Sequence, residues 1–225
     1  MQDLYGWTGK IALVNLSDAS VQILPTAAYL DRYIGGRGIG ARLYYDFVGP
    51  DVTAFAPENS LILMTGPLVG SPALACSRIM ALFKSPQLFP EQCGIASLGG
   101  DLPVQLKSAG YDGLVITGTS RTPCYLIINN ETIAVRSAEA LWGLDTLTTR
   151  EKLTAEHGSD VETLCIGPAG EKLIRFSVAV AAKGSAVAHG FGAVMGSKQL
   201  KEIAVRGSGK VAVAYPDRLK ELNRS

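Results

Sequence analysis

The residues best suited to chemistry in this chain are glycines and one arginine. Gly99-Gly100 and Gly190-Phe191-Gly192 each stand ahead of a helical stretch. A helix entry presents unpaired backbone N–H groups and the positive end of the helix dipole, so each entry can hold a phosphate. Two such entries related by a twofold axis would hold two phosphates near one another. Glycines at these places also serve plain packing of helix on sheet, and both readings stand. Arg78 follows the small residues Ala75, Cys76 and Ser77 at the edge of an apolar strand. A guanidinium there can grip an oxyanion through two parallel hydrogen bonds; the alternative is a strand-end arginine in solvent.

Other chemistries find little support. No nucleophile has a base beside it, and no carboxylates are paired for acid–base work. Cys76, Cys93, Cys124 and Cys165 are scattered without a C-x-x-C pair, which excludes a zinc ribbon, a redox pair or an iron–sulfur cluster built from this chain alone. Cys124 and Cys165 sit in apolar strand runs and read as core. His157 reads as a surface residue at a helix end, and His189 lies in a glycine loop without a second histidine or a carboxylate cluster. Gly35-Gly36-Arg37-Gly38-Ile39-Gly40 lacks the G-x-G-x-x-G spacing of a dinucleotide loop and follows a helix, so it reads as a helix–helix corner or a ligand-facing loop. The chain reads as a binding platform, not a complete catalytic site.

The elements that must position these residues occur twice. Lys10–Leu16 turns through Ser17-Asp18-Ala19 into Val21–Leu24, as Tyr125–Ile128 turns through Asn129-Asn130-Glu131 into Ile133–Val135. Leu61–Met64 runs into Gly66-Pro67, as Thr163–Ile166 runs into Gly167-Pro168. Each half closes on an apolar strand, Gly113–Gly118 or Glu202–Gly207. The repeat, about residues 9–118 and 124–207, is too long for a solenoid and predicts two halves about a pseudo-twofold axis. Between these landmarks, Thr26 is expected to cap a helix, and Ile39, Leu43 and Phe47 mark a second one. Arg78–Phe83 reads as a strand, whereas Gln87–Gly100 shows no period and reads as an irregular, functional stretch. Ser137 or Thr146 is expected to cap helices through Leu141 and over Leu147–His157. Leu173–Val180 reads as a strand, Lys183–Gly192 as a loop, Met195–Leu200 as a helix and Val211–Ala214 as a strand. The helix beginning at Pro216 reads as the start of something larger, with 211–225 a linker or truncated segment after a domain spanning 1–210.

The 225 residues, 47% of them hydrophobic, suffice for one large domain or two fused halves. No apolar run approaches the ~18 residues of a membrane helix, and Met1–Trp7 has no leader-like charge or apolar pattern, so the expected location is the cytoplasm. Twenty-one basic against twenty acidic residues give a net charge of +1 without a basic run, which argues against a nucleic-acid partner.

A linked series of motifs carries a family resemblance. Tyr5-Gly6-Trp7-Thr8-Gly9-Lys10-Ile11, Gly35-Gly36-Arg37-Gly38, Thr65-Gly66-Pro67-Leu68, Lys84-Ser85-Pro86, Leu106-Lys107-Ser108-Ala109-Gly110-Tyr111-Asp112, Leu141-Trp142-Gly143, Ile166-Gly167-Pro168-Ala169-Gly170-Glu171 and Gly192-Ala193-Val194-Met195-Gly196-Ser197-Lys198 follow in the order and spacing of the N-terminal domain of the aldehyde:ferredoxin oxidoreductase family. The resemblance covers about residues 4–214. It implies an α+β fold of two β-sheets related by pseudo-twofold duplication with flanking helices, forming a saddle-like base for a tungsten, less often molybdenum, bis-pterin cofactor. It also implies oxidation of aldehydes to carboxylates, with electrons passing through a [4Fe–4S] cluster to ferredoxin. The cluster ligands and acid–base groups of that family belong to C-terminal domains, so the 225-residue chain alone is expected to be inactive. The partners implied are those C-terminal domains or a partner subunit, with a homo-oligomer as a further expectation.

Carried over residue by residue, Arg78 matches a pterin-phosphate arginine, and Ala96-Ser97-Leu98-Gly99-Gly100 matches the family's phosphate and magnesium loop, with Ser97 in place of an asparagine. Gly184-Ser185-Ala186-Val187-Ala188-His189-Gly190 matches a second loop but lacks its two arginines, leaving backbone contacts at Ser185 and Ala186. The expected cofactor residues are therefore Arg78, Ser97, Gly99, Gly100, Ser185 and Ala186, with magnesium between the phosphates at Ser97 and Ala186. The alternative is a non-catalytic domain that keeps the fold and serves interaction or assembly, motivated by the missing arginines.

Overall fold

The computed structural model describes residues 4–224 and, within that span, every side chain but that of Lys183. Residues 1–3 of the N-terminal segment weighed above, and Ser225, lie outside the described residues. The first half comprises β1 (Lys10–Asn15), β2 (Ser20–Pro25), α1 (Ala27–Leu30), α2 (Arg37–Phe47), β3 (Leu61–Thr65), β4 (Ile79–Ser85), β5 (Gln92–Leu98), α3 (Leu102–Ser108) and β6 (Gly113–Thr117). The second comprises β7 (Cys124–Asn129), β8 (Thr132–Ser137), α4 (Thr146–His157), β9 (Glu162–Cys165), α5 (Pro168–Glu171), β10 (Ala179–Ala181), β11 (Ala186–Val187), α6 (Phe191–Ser197) and β12 (Leu200–Arg206). Helix α7 (Pro216–Leu222) follows both.

Each half makes one six-stranded mixed sheet, in the orders β2-β1-β6-β3-β4-β5 and β8-β7-β12-β9-β10-β11. The orders are the same order, strand for strand, and every pairing keeps its sense. The pairs β1·β6 and β7·β12 are parallel; the hairpins and remaining neighbours are antiparallel. The fold is α+β, two sheets related by internal duplication.

Side chains alternate between two faces along each strand, as the pleat requires. One face of each sheet joins a shared core: Ala12 and Val14 of β1, Leu61 and Leu63 of β3, Leu126 and Ile128 of β7, and Ile203 and Val205 of β12 belong to one buried cluster with α3 and α6 residues. Phe83 and Phe191 meet there edge to face at 5.1 Å, tying β4 of one half to α6 of the other. The other face of the first sheet, with Ile11, Ile62, Met64 and Val115, is covered by Ile39 and Leu43 of α2. Tyr125 on the outer face of the second sheet packs with Leu153 of α4. Helix α6 can lie against α5 only because both carry glycine, since a Cβ on Gly196 would stand 2.1 Å from the Gly170 carbonyl oxygen.

Several local expectations are corrected. The stretch expected to be irregular contains β5, whose Cys93 and Ile95 face one way and Ala96 and Leu98 share the central core. Gly94, Ala96 and Ser97 are too small to announce that alternation. Of Leu173–Val180 only the end is strand, because Leu173 adopts φ +56° in a turn. The short helix is Phe191–Ser197, not Met195–Leu200, and the loop 183–192 contains β11. Residues 211–214 form no strand, and no helix starts at Ser137. Helix α2 begins inside the glycine run, at Arg37. Asp145, not Thr146, caps α4, its carboxylate accepting from Thr148 N at 2.8 Å. Thr26 makes no cap bond; its hydroxyl donates to Asp112 Oδ2 at 2.7 Å.

Candidate functional site

Four of the six residues expected to form a site are joined in two hydrogen-bonded pairs, one within the first half and one across the seam between the halves. Arg78 immediately precedes β4, and Ser97 lies in β5 opposite Met80. Arg78 Nη1 donates to Ser97 Oγ at 3.1 Å. After β5 ends at Leu98, Gly99 N donates to Ser185 Oγ at 3.1 Å, reaching the segment that enters β11. Gly100 and Ala186 adjoin these residues in the chain. Arg78 and Ser97 are exposed, and the other four are half-buried, so the cluster opens to solvent. Gly100 has φ +96°, which favours glycine, and nothing stands within 4 Å of where its Cβ would be. A surface of this kind, with a guanidinium, a hydroxyl and exposed backbone, suits a phosphate.

The strand registers show how the two halves correspond here. Met64 pairs with Met80 and Met80 with Ser97; Cys165 pairs with Val180 and Val180 with Ala186. Ser97 and Ala186 are therefore equivalent positions, and so are Arg78 and Val178. The two sides are alike in backbone and unlike in charge. At the helix beyond, α2 is entered through Gly36, whereas the carboxylate of Asp145 occupies the corresponding end of α4 and is held below the usual carboxylate range by the Thr148 N–H. The second half instead has a cleft of about 410 Å³ whose walls include Thr146, Gly167, Phe176, Ser177, Val178 and Val180. Ser177 Oγ is buried without a hydrogen-bond partner among the described residues. One side thus favours an anion, and the other is apolar with a fixed negative charge at its mouth.

Two buried lysine–carboxylate pairs, one in each half, are not legible as pairs in the sequence. Lys107 Nζ, wholly buried, bonds to Asp112 Oδ1 at 2.6 Å and Gly6 O at 2.7 Å and lies over the Trp7 ring at 4.6 Å. Asp112 also accepts from Thr8 N, Gly9 N and Thr26 Oγ1 at 2.7–2.9 Å. Burial lowers the Lys107 pKa, opposed by the Asp112 charge. This clasp joins the segment 5–9 to α3, the helix that follows Gly99-Gly100. In the second half Lys201 pairs with Glu171 and donates to Leu144 O at 2.7 Å, while Glu171 accepts from Gly143 N at 2.9 Å. The sequence signal available was the placement of lysines and carboxylates within apolar, glycine-rich runs.

Cys124 and Cys165 are buried, and burial pushes their thiols up to about 11 and about 12, away from reactive thiolate. His157 Nε2 lies 3.0 Å from Tyr125 Oη. The contact His189 makes at the seam is through its carbonyl, which accepts from Ser85 Oγ at 2.6 Å. Among the described residues, no three His, Cys, Asp or Glu side chains are placed to hold a metal ion, and no helix is long and apolar enough to cross a membrane. A metal at Ser97 and Ala186 would therefore depend on hydroxyl and backbone oxygens, and on oxygens of the ligand itself.

Residues 11–207 match the family described as aldehyde ferredoxin oxidoreductase, N-terminal domain. Similar proteins include a tungsten-containing aldehyde ferredoxin oxidoreductase of Pyrococcus horikoshii, 38% identical over 98% of this chain and 37% of the relative. An aliphatic sulfonate oxidoreductase, WOR-like subunit, of Pyrococcus furiosus is 31% identical over 98% of this chain and 38% of its own length. Among solved structures, the active site complex BamBC of benzoyl coenzyme A reductase with 1,5-dienoyl-CoA aligns with a TM-score of 0.93 at 35% identity, covering 98% of this chain and 34% of that one. The chain spans little more than a third of the length of these relatives.

Proposed function

The chain belongs to the aldehyde ferredoxin oxidoreductase family as its N-terminal domain, and from that premise we propose that it is the base on which an oxidoreductase holds a tungsten bis-pterin cofactor. The observation that carries this reading is the joining of Arg78 to Ser97 at the edge of the first sheet and of Gly99 to Ser185 across the two halves. Arg78 would hold a pterin phosphate by charge-assisted hydrogen bonds, with Ser97 Oγ and the backbone at Gly99 and Gly100 completing the grip. Oxygens at Ser97 and Ala186 would share a magnesium ion with the phosphates. When bound, the metal–pterin group supplies two-electron chemistry, such as oxidation of an aldehyde to a carboxylate.

The remainder of the proposal concerns the whole protein. C-terminal domains or a partner subunit would add the [4Fe–4S] cluster, the acid–base groups and the path to ferredoxin, with the protein in the cytoplasm and self-associating. Molybdenum in place of tungsten is the variant of the same reading.

A second reading is favoured by the lack of symmetry in charge. Val178 stands where the first half has Arg78, so a fold that has lost cofactor binding and serves assembly is the competitor. Elemental analysis of the purified whole protein, with pterin measured by fluorescence after oxidation, separates the two. The proposal expects tungsten or molybdenum together with pterin, and a protein repeatedly free of both favours the competitor.

A further inference from the structure

We infer that Asn223, which follows α7, is a positioning residue for Arg78, so that the seating of α7 tunes the anion grip; the inference rests on reading Arg78 as that grip. Arg78 ends a stretch from Gly66 that is neither strand nor helix. Short-range contacts shape this stretch: Ser71 Oγ donates to Leu68 O at 2.7 Å, the Cys76 thiol lies 3.0 Å from the carbonyls of both Leu68 and Ala73, and Arg78 N donates to Cys76 O at 3.0 Å. Within it Ala75 has φ +56°, a left-handed conformation that residues with a Cβ avoid and that persists where the surroundings hold it.

Asn223 reaches this stretch from about 150 residues away in sequence. Its Nδ2 donates to Pro72 O at 2.7 Å, and its Oδ1 accepts from Leu74 N at a longer 3.4 Å. The two contacts fall directly ahead of Ala75 and four to six residues ahead of Arg78. Helix α7 is otherwise lightly seated. Leu219 and Asn223, one turn apart, are its half-buried residues, while the others between Pro216 and Arg224 are exposed. Clefts of about 190 and 520 Å³ remain between the 66–72 segment and residues 210–219. With packing this open, the side-chain bonds of Asn223 are a specific link between α7 and the arginine loop. An element with so few buried contacts opens locally at small cost, and its opening would free Pro72–Leu74 and let Ala75 relax. A grip that must be ordered on binding is weaker than one already ordered.

The test uses the full chain with inorganic pyrophosphate as probe, binding followed by titration calorimetry at low salt and loop order by amide hydrogen exchange at Ala73, Leu74, Ala75 and Cys76. Asn223→Ala is expected to weaken pyrophosphate binding about fivefold, the scale of one net hydrogen bond, and to speed exchange at these amides. Asn223→Gln should restore part of both effects. Asn223→Asp, which sets a carboxylate against the Pro72 carbonyl, should weaken binding at least as much as alanine. Arg78→Ala should weaken binding at least about tenfold and leave exchange in the loop unchanged. Pyrophosphate binding by Arg78→Ala as tight as wild type would overturn the phosphate reading itself. If Arg78→Ala weakens binding while Asn223→Ala and Asn223→Asp bind as wild type, the positioning role alone is overturned.

Discussion

Replacing Glu202 by glutamine is expected to remove a pH dependence of stability that the fold carries between pH 5 and 7. Glu202 lies in β12 between Tyr125 and Cys165 of the neighbouring strands, where the first half has Gly113. It is completely buried, and neither carboxyl oxygen has a hydrogen-bond partner among the described residues. Burial pushes its pKa up to about 8, against the weaker opposing pulls of the Lys201 and Arg150 charges. Between the unfolded value near 4.5 and about 8, the unfolded chain has released this proton and the folded chain keeps it. Stability therefore falls as pH rises through that window, by about 1.4 kcal/mol per pH unit at the steepest. From pH 5 to 7 the loss is about 2–3 kcal/mol. Urea unfolding followed by circular dichroism at pH 5, 6 and 7 measures it in wild type and in Glu202→Gln. The wild type should lose stability across the series relative to the variant, whose slope should be nearly flat. Equal slopes in the two proteins would show that Glu202 is ionised in the fold and that the desolvation argument is wrong.

Lys198 gives the opposite sign at higher pH. Its ammonium is buried against the carbonyls of Pro57 and Gly118 at 2.8 and 3.1 Å, and burial lowers its pKa to about 7. The unfolded chain binds the extra proton between pH 7 and about 10.5, so stability should rise with pH there, and Lys198→Met should abolish that rise in the same unfolding assay. Asp112→Ala leaves the Lys107 ammonium buried without its carboxylate and should cost about 3–5 kcal/mol by urea unfolding at neutral pH; a loss below about 1 kcal/mol would mean that the clasp contributes little.

Topology was more legible than element boundaries. The repeated hairpin, the strand ending in Gly-Pro and the closing apolar strand gave the duplication, because long apolar runs and Gly-Pro punctuation depend on local chemistry. The small residues of β5 hid a strand whose existence depends on β4 beside it, and Thr26 followed a buried carboxylate instead of its own helix. Of the site, Arg78 and Gly99 are legible from residue chemistry and Ser97 and Ser185 from motif resemblance alone; the structure joins Arg78 to Ser97 and Gly99 to Ser185 by hydrogen bonds. What spacing could not reveal is the difference between the sides, since the equivalence of Arg78 with Val178 follows from the pairing of four strands. The buried lysines stand out within apolar runs, but their carboxylate partners depend on tertiary contact or on a local turn that no periodicity marks.

The central claim, that this domain grips a pterin phosphate through its first half, is tested most directly by metal and pterin content in the whole protein carrying Arg78→Ala. A guanidinium–phosphate contact worth roughly 1.5–3 kcal/mol predicts a fall of at least about tenfold in both tungsten or molybdenum and pterin. The thermal transition of the cofactor-free protein should stay nearly unchanged, because Arg78 is exposed and its described side-chain hydrogen bond, to Ser97, is exposed as well. Metal and pterin at wild-type levels in the variant would contradict the account.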